Sequence, residues 1–274
     1  MRPLREDVGV ESGHRRTLMA ADGVAISAVH VPADSDRRDL CLVVVHGFTG
    51  SWRQDRVQRV IERLRAFGGI VAIDLRGHGA SGGQTTVGDE EVQDVAAAVT
   101  WARELGYEAV VTVGFSLGGA VVLREAALQR EGPGRVDAVV SVSAPAFWYY
   151  RGTRIMRVAH WMVETRPGRL VMRAGGTRIS GRGWPDPAPV APHEAAALLG
   201  DIPLLVVHGD VDRYFPLEHP RAIHEAALRA GGRADLWIEP GFGHAESAIA
   251  TDTLDRIGTW AREWASGPRG SGRT

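Results

Sequence analysis

Ser116 stands at the centre of Gly114-Phe115-Ser116-Leu117-Gly118-Gly119, between the apolar run Ala109-Val110-Val111-Thr112-Val113 and the helical pattern Ala120-Val121-Val122-Leu123-Arg124-Glu125-Ala126. That order predicts a strand, a sharp turn with the serine at its apex, and a helix. Glycines two positions either side of the serine leave room where a Cβ would clash. Such a turn exposes Oγ at the carboxyl end of a strand and leaves the Leu117 N–H free at a helix start. The chemistry this suits is nucleophilic attack on a carbonyl. A serine hydroxyl is a weak nucleophile at neutral pH, so it needs a positioned base, and the base needs an orienting carboxylate.

Both follow in the chain. Leu204–Val207 runs into His208-Gly209-Asp210-Val211-Asp212-Arg213, so Asp210 or Asp212 lies just past a strand end; Asp212 is the preferred candidate and Asp210 competes. Leu236-Trp237-Ile238 runs into Glu239-Pro240-Gly241-Phe242-Gly243-His244. A lone loop histidine is ordinarily a solvated one, but the glycines on its approach and its place after the last strand favour a base. The expected roles are Ser116 as nucleophile, His244 as general base and then acid, and Asp212 orienting the imidazole. A tetrahedral oxyanion needs two donors. One is the Leu117 N–H, and the other is the Phe48 N–H, aimed by Gly47 in His46-Gly47-Phe48-Thr49-Gly50. His46 itself reads as a packed, hydrogen-bonded loop residue.

These residues must be positioned by strand ends on one edge of a sheet, where open α/β sheets bind ligands. Leu40–Val45 is a continuous apolar run, the mark of a strand covered on both faces. Val57, Val60, Ile61, Leu64 and Phe67 then recur at helical spacing. Further strands are expected over Gly69–Ile73, 109–113, Val136–Val142, Leu204–Val207 and Ala234–Ile238, with helices over Asp89–Leu105 and about 218–230 and 246–264. Thr17–Val31 reads as an antiparallel hairpin around Asp22-Gly23. The fold class is therefore α/β: a mostly parallel central sheet with helices on both faces.

Ala144–Asp201 breaks the rhythm. Before Asp201 it holds eight arginines (151, 154, 157, 166, 169, 173, 178 and 182) against three acids, Glu164, Asp186 and Glu194. Ile155, Val158, Met162 and Val163 fit one short amphipathic helix, and the four prolines of Gly181–Pro192 forbid regular helix or central strand. The expected organisation is a core of 1–143 and 202–265, a small lid of 144–201 over the sheet's carboxyl edge, and a disordered Gly/Ser/Arg-rich tail at 266–274. Trp148, Tyr149, Met156 and Trp161 are the expected substrate contacts, suiting a mainly apolar group. The lid arginines read as a solvated or carboxylate-paired face, with pairing to an anionic portion of the substrate as the alternative.

Composition excludes several classes. The formal net charge of −1 gives no case for nucleic acid or an anionic membrane. All 32 basic residues are arginine, which removes Schiff-base, Ser-Lys and P-loop-lysine chemistry. Cys41 is the one cysteine, in a strand-like run, and reads as a buried small hydrophobe. His193-Glu194 and His224-Glu225 lack the second histidine of a zinc helix, so no metal is expected. No run approaches the ~18 apolar residues of a membrane helix and Met1–Asp7 has no apolar signal core, so a cytoplasmic protein without stable membrane insertion is expected. No feature points to a particular oligomeric state.

Gly-x-Ser-x-Gly, then Asp, then His, preceded by His-Gly after the first parallel strand, resembles the α/β-hydrolase fold family in its serine hydrolase branch of esterases, lipases and thioesterases. Asp74-Leu75-Arg76-Gly77-His78-Gly79-Ala80-Ser81-Gly82, Gly209-x-x-Asp212-x-x-x-Pro216 and Gly243-His244 extend the likeness, so five motifs in order span most of residues 20–265 outside the insertion. The resemblance implies a triad of Ser116, Asp212 and His244, an oxyanion hole from Phe48 and Leu117, no cofactor, and a lid at 144–201. The implied activity is carboxylesterase-like (EC 3.1.1) on a small-molecule acyl substrate. Thioesterase, peptidase or carbon–carbon hydrolase are alternatives with the same triad, and a silent receptor or scaffold is one of another class. A serine where other branches carry aspartate argues against dehalogenases and epoxide hydrolases. The lid is shorter and richer in Arg and Pro than many in the family, so pocket shape does not transfer. The Arg76-Gly77-His78-Gly79 loop reads as structural, with Asp74 and Arg76 bracing the site.

Overall fold

The continuous apolar runs of the chain's centre form strands covered on both faces. In a computed structural model describing residues 13–33, 37–132 and 134–266, the strands are β1 (His14–Met19), β2 (Ala25–Val31), β3 (Leu40–Val45), β4 (Gly69–Ile73), β5 (Ala109–Phe115), β6 (Ala138–Val142), β7 (Leu204–Gly209) and β8 (Ala234–Glu239). The helices are α1 (Asp55–Leu64), α2 (Val92–Glu104), α3 (Leu117–Leu128), α4 (Arg154–Glu164), α5 (Arg166–Ala174), α6 (Pro192–Ala197), α7 (Glu218–Arg229), α8 (Ala245–Ala248) and α9 (Thr251–Ser266). The expected tail beyond Ser266 lies outside the described residues.

All eight strands form one sheet in the order β1-β2-β4-β3-β5-β6-β7-β8. β2 is antiparallel to β1 and β4, and every other pairing is parallel. The period-two alternation of strand side chains divides the core. Val43 and Val45 face α2, α3, α6 and α7, whereas Leu42 and Val44 face α1 and α9. Cys41 is fully buried in β3, and burial pushes its thiol far up from its ordinary pKa.

Two elements differ from the sequence expectation. The final helix is two, α8 and α9, because Ile249 is extended between them. The insertion holds three helices instead of one. α4 ends and α5 begins at Thr165, whose Oγ1 donates to the Trp161 carbonyl (2.8 Å) and accepts the Gly168 N–H (3.1 Å). α6, although inside 144–201, packs on α7 and α3, with Ala195 and Ala196 in the main core. The segment covering the sheet edge therefore ends near Val190.

Candidate active site

The β5–α3 turn is built around glycines. A Cβ on Gly114 would stand on the Gly118 carbonyl, and one on Gly118 would meet the carbonyl of Val45 in the neighbouring strand. With both corners bare, Ser116 takes φ 52° and ψ −114°, a conformation that L-residues rarely adopt. Its N–H donates to the Val142 carbonyl at 2.8 Å, so β6 holds the strained turn in place. Ser143 and Ala245, at neighbouring chain turns, also have positive φ, and the Ala245 N–H donates to Ser143 Oγ (3.2 Å).

His244 follows β8 and Asp212 follows β7. His244 Nδ1 lies 2.7 Å from Asp212 Oδ2, and its Nε2 lies 2.9 Å from Ser116 Oγ. An ionised Asp212 only accepts, so it selects the tautomer with hydrogen on Nδ1 and leaves the Nε2 lone pair for the serine hydroxyl. Asp212 is itself held by the N–H groups of Tyr214 (2.7 Å) and Phe215 (3.2 Å), and its side chain is 1% exposed. Tyr214 stacks on the imidazole with centroids 4.0 Å apart. Asp210 instead accepts the Gly241 N–H at 2.7 Å and braces the β7 and β8 turns. Of the two candidate carboxylates, the structure brings Asp212 to His244.

Phe48 and Leu117 lie beside Ser116 on the wall of one cavity, and no acceptor among the described residues takes either amide hydrogen. The Phe48 loop is pinned on both sides. His46 donates through Nδ1 to the Gly47 carbonyl (2.7 Å) and accepts the Leu75 N–H at Nε2 (3.0 Å). Burial holds this histidine neutral, with its pKa down at about 4. From the other side, the buried Glu246 accepts the Gly47 N–H at 2.7 Å through Oε1. Asp74, fully buried, gathers Ser51 Oγ, the Trp52 and Ala80 amides and Arg53, while Arg76 is held by Asp94, Asp22 and Glu90.

The cavity holds about 700 Å³, and Ile155, Met156, Ala159, Met162, Val163 and Met172 of α4 and α5 give it an apolar roof. The insertion is tied to the core by the Thr85–Ile179 bridge and by Trp184 Nε1, which donates to the Thr86 carbonyl at 2.7 Å. Trp148, Tyr149 and Met156 line the cavity. Trp161 does not. It shares a helix face with Arg154 and Arg157, at positions i, i+3 and i+7, and that stripe points away from the cavity. The sequence also left unassigned Tyr214, Glu246 and His208, whose Nε2 donates to the Phe215 carbonyl at 2.8 Å and lies 3.5 Å from Asp212. Glu246, two residues past His244, is the one that proximity could have flagged. Among the described residues, no three His, Cys, Asp or Glu side chains form a group that could hold a metal ion.

Residues 41–172 match the family model described as alpha/beta hydrolase fold. A monoacylglycerol lipase of Mycolicibacterium smegmatis is 29% identical over 248 residues, covering 77% of this chain and 82% of the relative. Among solved structures, a Pyrococcus furiosus esterase superposes with a TM-score of 0.73 at 22% identity, covering 96% of this chain and 94% of its own. A Xanthomonas campestris serine hydrolase described as having no lid superposes at 0.62 with 19% identity, covering 97% and 99%. At these identities the superpositions speak for the fold.

Proposed function

We propose that the chain, which has the α/β-hydrolase fold, is a serine hydrolase cleaving a carboxylic ester or related acyl substrate through an acyl-enzyme. The observation that carries this is the hydrogen-bonded chain Asp212–His244–Ser116, at 2.7 and 2.9 Å, beside two unpaired amides. The lipase and esterase activities of its relatives support ester hydrolysis as the reaction class.

Ser116 Oγ attacks the substrate carbonyl carbon while its proton passes to His244 Nε2. Asp212 stabilises the imidazolium, and the new oxyanion accepts from the Phe48 and Leu117 N–H groups, each such donor being worth about 3 kcal/mol in the transition state. Collapse re-forms the carbonyl and breaks the bond between the acyl carbon and the alcohol oxygen, to which His244 returns the proton. Water then enters, gives a proton to His244 and attacks the acyl carbon. The second oxyanion collapses, the bond from the acyl carbon to Ser116 Oγ breaks, and His244 returns its proton to Oγ as the acid leaves. Glu246 is a positioning residue in this scheme, holding Gly47 so that the next amide aims at the oxyanion. Residues 144–190 act as the cap, and the apolar roof favours a hydrocarbon chain.

Rates on p-nitrophenyl esters of graded chain length, beside acyl-CoA thioesters and aminoacyl anilides, test the reading. Ester turnover should be the fastest and should fall roughly ten-thousand-fold or more in Ser116→Ala. Faster thioester or anilide cleavage would move the assignment to another branch, and no cleavage of any would favour a silent receptor.

A further inference from the structure

The Ser116 cavity carries arginines that have no close ion-pair partner among the described residues. Arg56, Arg169 and Arg182 line it. Arg56, on the first turn of α1, is half-buried, makes no hydrogen bond or ion pair with any described residue, and has its Nε sealed from solvent without an acceptor. Its cavity neighbours include Gly47, Phe48 and Thr49 of the loop beside Ser116, and its charge reaches His46 on that same loop. Arg169 is spent on the neutral carbonyls of Val163 (3.1 Å) and Glu164 (2.9 Å), and Arg182, largely exposed, comes no nearer than 3.9 Å to Glu90.

Neither acid on the wall pairs with these arginines among the described residues. Glu164 takes Arg151 and His160, and Glu246 takes the Gly47 N–H. A guanidinium drawn partly out of water without an acceptor is unfavourable. At a surface it would be explained by solvent, but this one shares a cavity with the candidate nucleophile. The rest of the roof is hydrocarbon, so the wall is complementary to a molecule with an apolar body and one anionic end. A guanidinium suits either common oxyanion, because its planar fork pairs with carboxylate and phosphate alike.

We propose that Arg56 is an oxyanion-binding subsite and that the substrates are amphipathic esters carrying a carboxylate or phosphate group. The inference rests on the hydrolase reading above and adds the substrate's charge to it.

Two pairs of esters test it and place the charge. On the acyl side, octanedioic acid monomethyl ester is compared with methyl octanoate. On the alcohol side, octanoyl glycerophosphate is compared with octanoylglycerol. The readout is the ratio of kcat/KM, anionic over neutral, in the wild type and in Arg56→Gln. A charge-assisted pair corresponds to a preference of about ten- to a hundred-fold in at least one pair of esters. That preference should collapse toward unity in Arg56→Gln and return in part in Arg56→Lys. Equal rates on both members of both pairs, or a preference that Arg56→Gln leaves intact, would overturn the subsite. Calorimetric titration of Ser116→Ala with the same four esters reads the preference as affinity, without turnover. Absence of hydrolysis therefore counts against the reaction, and absence of an affinity difference counts against the subsite.

Discussion

At the scale of single residues, the site works by fixing who may accept and who may donate. Asp212 offers only acceptors and is already satisfied on one oxygen by two amides, so its other oxygen is reserved for the Nδ1 hydrogen of His244. Glu246 acts in the same way one step removed, since its carboxylate decides where the Gly47–Phe48 peptide points. Replacing it by alanine is expected to lower kcat by about one to two orders of magnitude with little change in KM, less than removal of an oxyanion donor outright. Glu246→Gln keeps an acceptor for the Gly47 N–H and is expected to recover most of the rate. Steady-state kinetics on one ester decide it; equal loss in both variants would mean that the charge, not the aim of the loop, matters.

Elements set how closely those residues can approach. The β5–α3 turn fits because Gly118 presses on the carbonyls of Val45 and His46. Gly118→Ala must push α3 away from β3 or break the turn, so a loss of at least about 3 kcal/mol is expected in urea unfolding, with activity lost in any folded fraction. A variant as stable and active as the wild type would show that the turn has room to spare.

This turn was readable in the sequence because its determinants are local: a β-branched run, small residues at fixed offsets and a helical period. The central strands β3 to β7 were readable for the same reason, since burial on both faces leaves mostly apolar positions. The cap was not fully read. Thr165 before Pro167 is a helix start, but it lies just past the one short helix expected around Ile155–Val163, in a stretch given no element. Trp161 was assigned by composition, and only the rotation of α4 shows that it faces outward. Glu246 and Gly47 lie 199 residues apart, and no periodicity links them.

At the scale of the whole molecule, burial of ionisable groups couples stability to pH. Glu125, in α3, has both carboxyl oxygens buried without a partner among the described residues, and burial raises its pKa well above the ordinary value. A raised folded-state pKa favours the folded state fully below the unfolded value near 4.5, and that contribution is lost as pH rises through the folded pKa. Glu125→Met removes the term and fills the same space. It is therefore expected to gain stability over the wild type by about 1.4 kcal/mol per pH unit above that point, until the folded pKa is passed. Urea unfolding at several pH values reads the slope; a difference independent of pH would contradict it. His46 works in the other direction: with its pKa depressed to about 4, its contribution is present above about 6.5 and lost as pH falls through 4.

The largest claim at this scale is that one sheet edge unites residues 116, 212 and 244 into a reactive centre. Covalent labelling by a fluorophosphonate, read by peptide mass, tests it most directly. A single adduct is expected on Ser116 in the wild type, and none in folded His244→Ala on the same timescale. A folded wild type that takes no label, or labelling that survives the loss of His244, would contradict it.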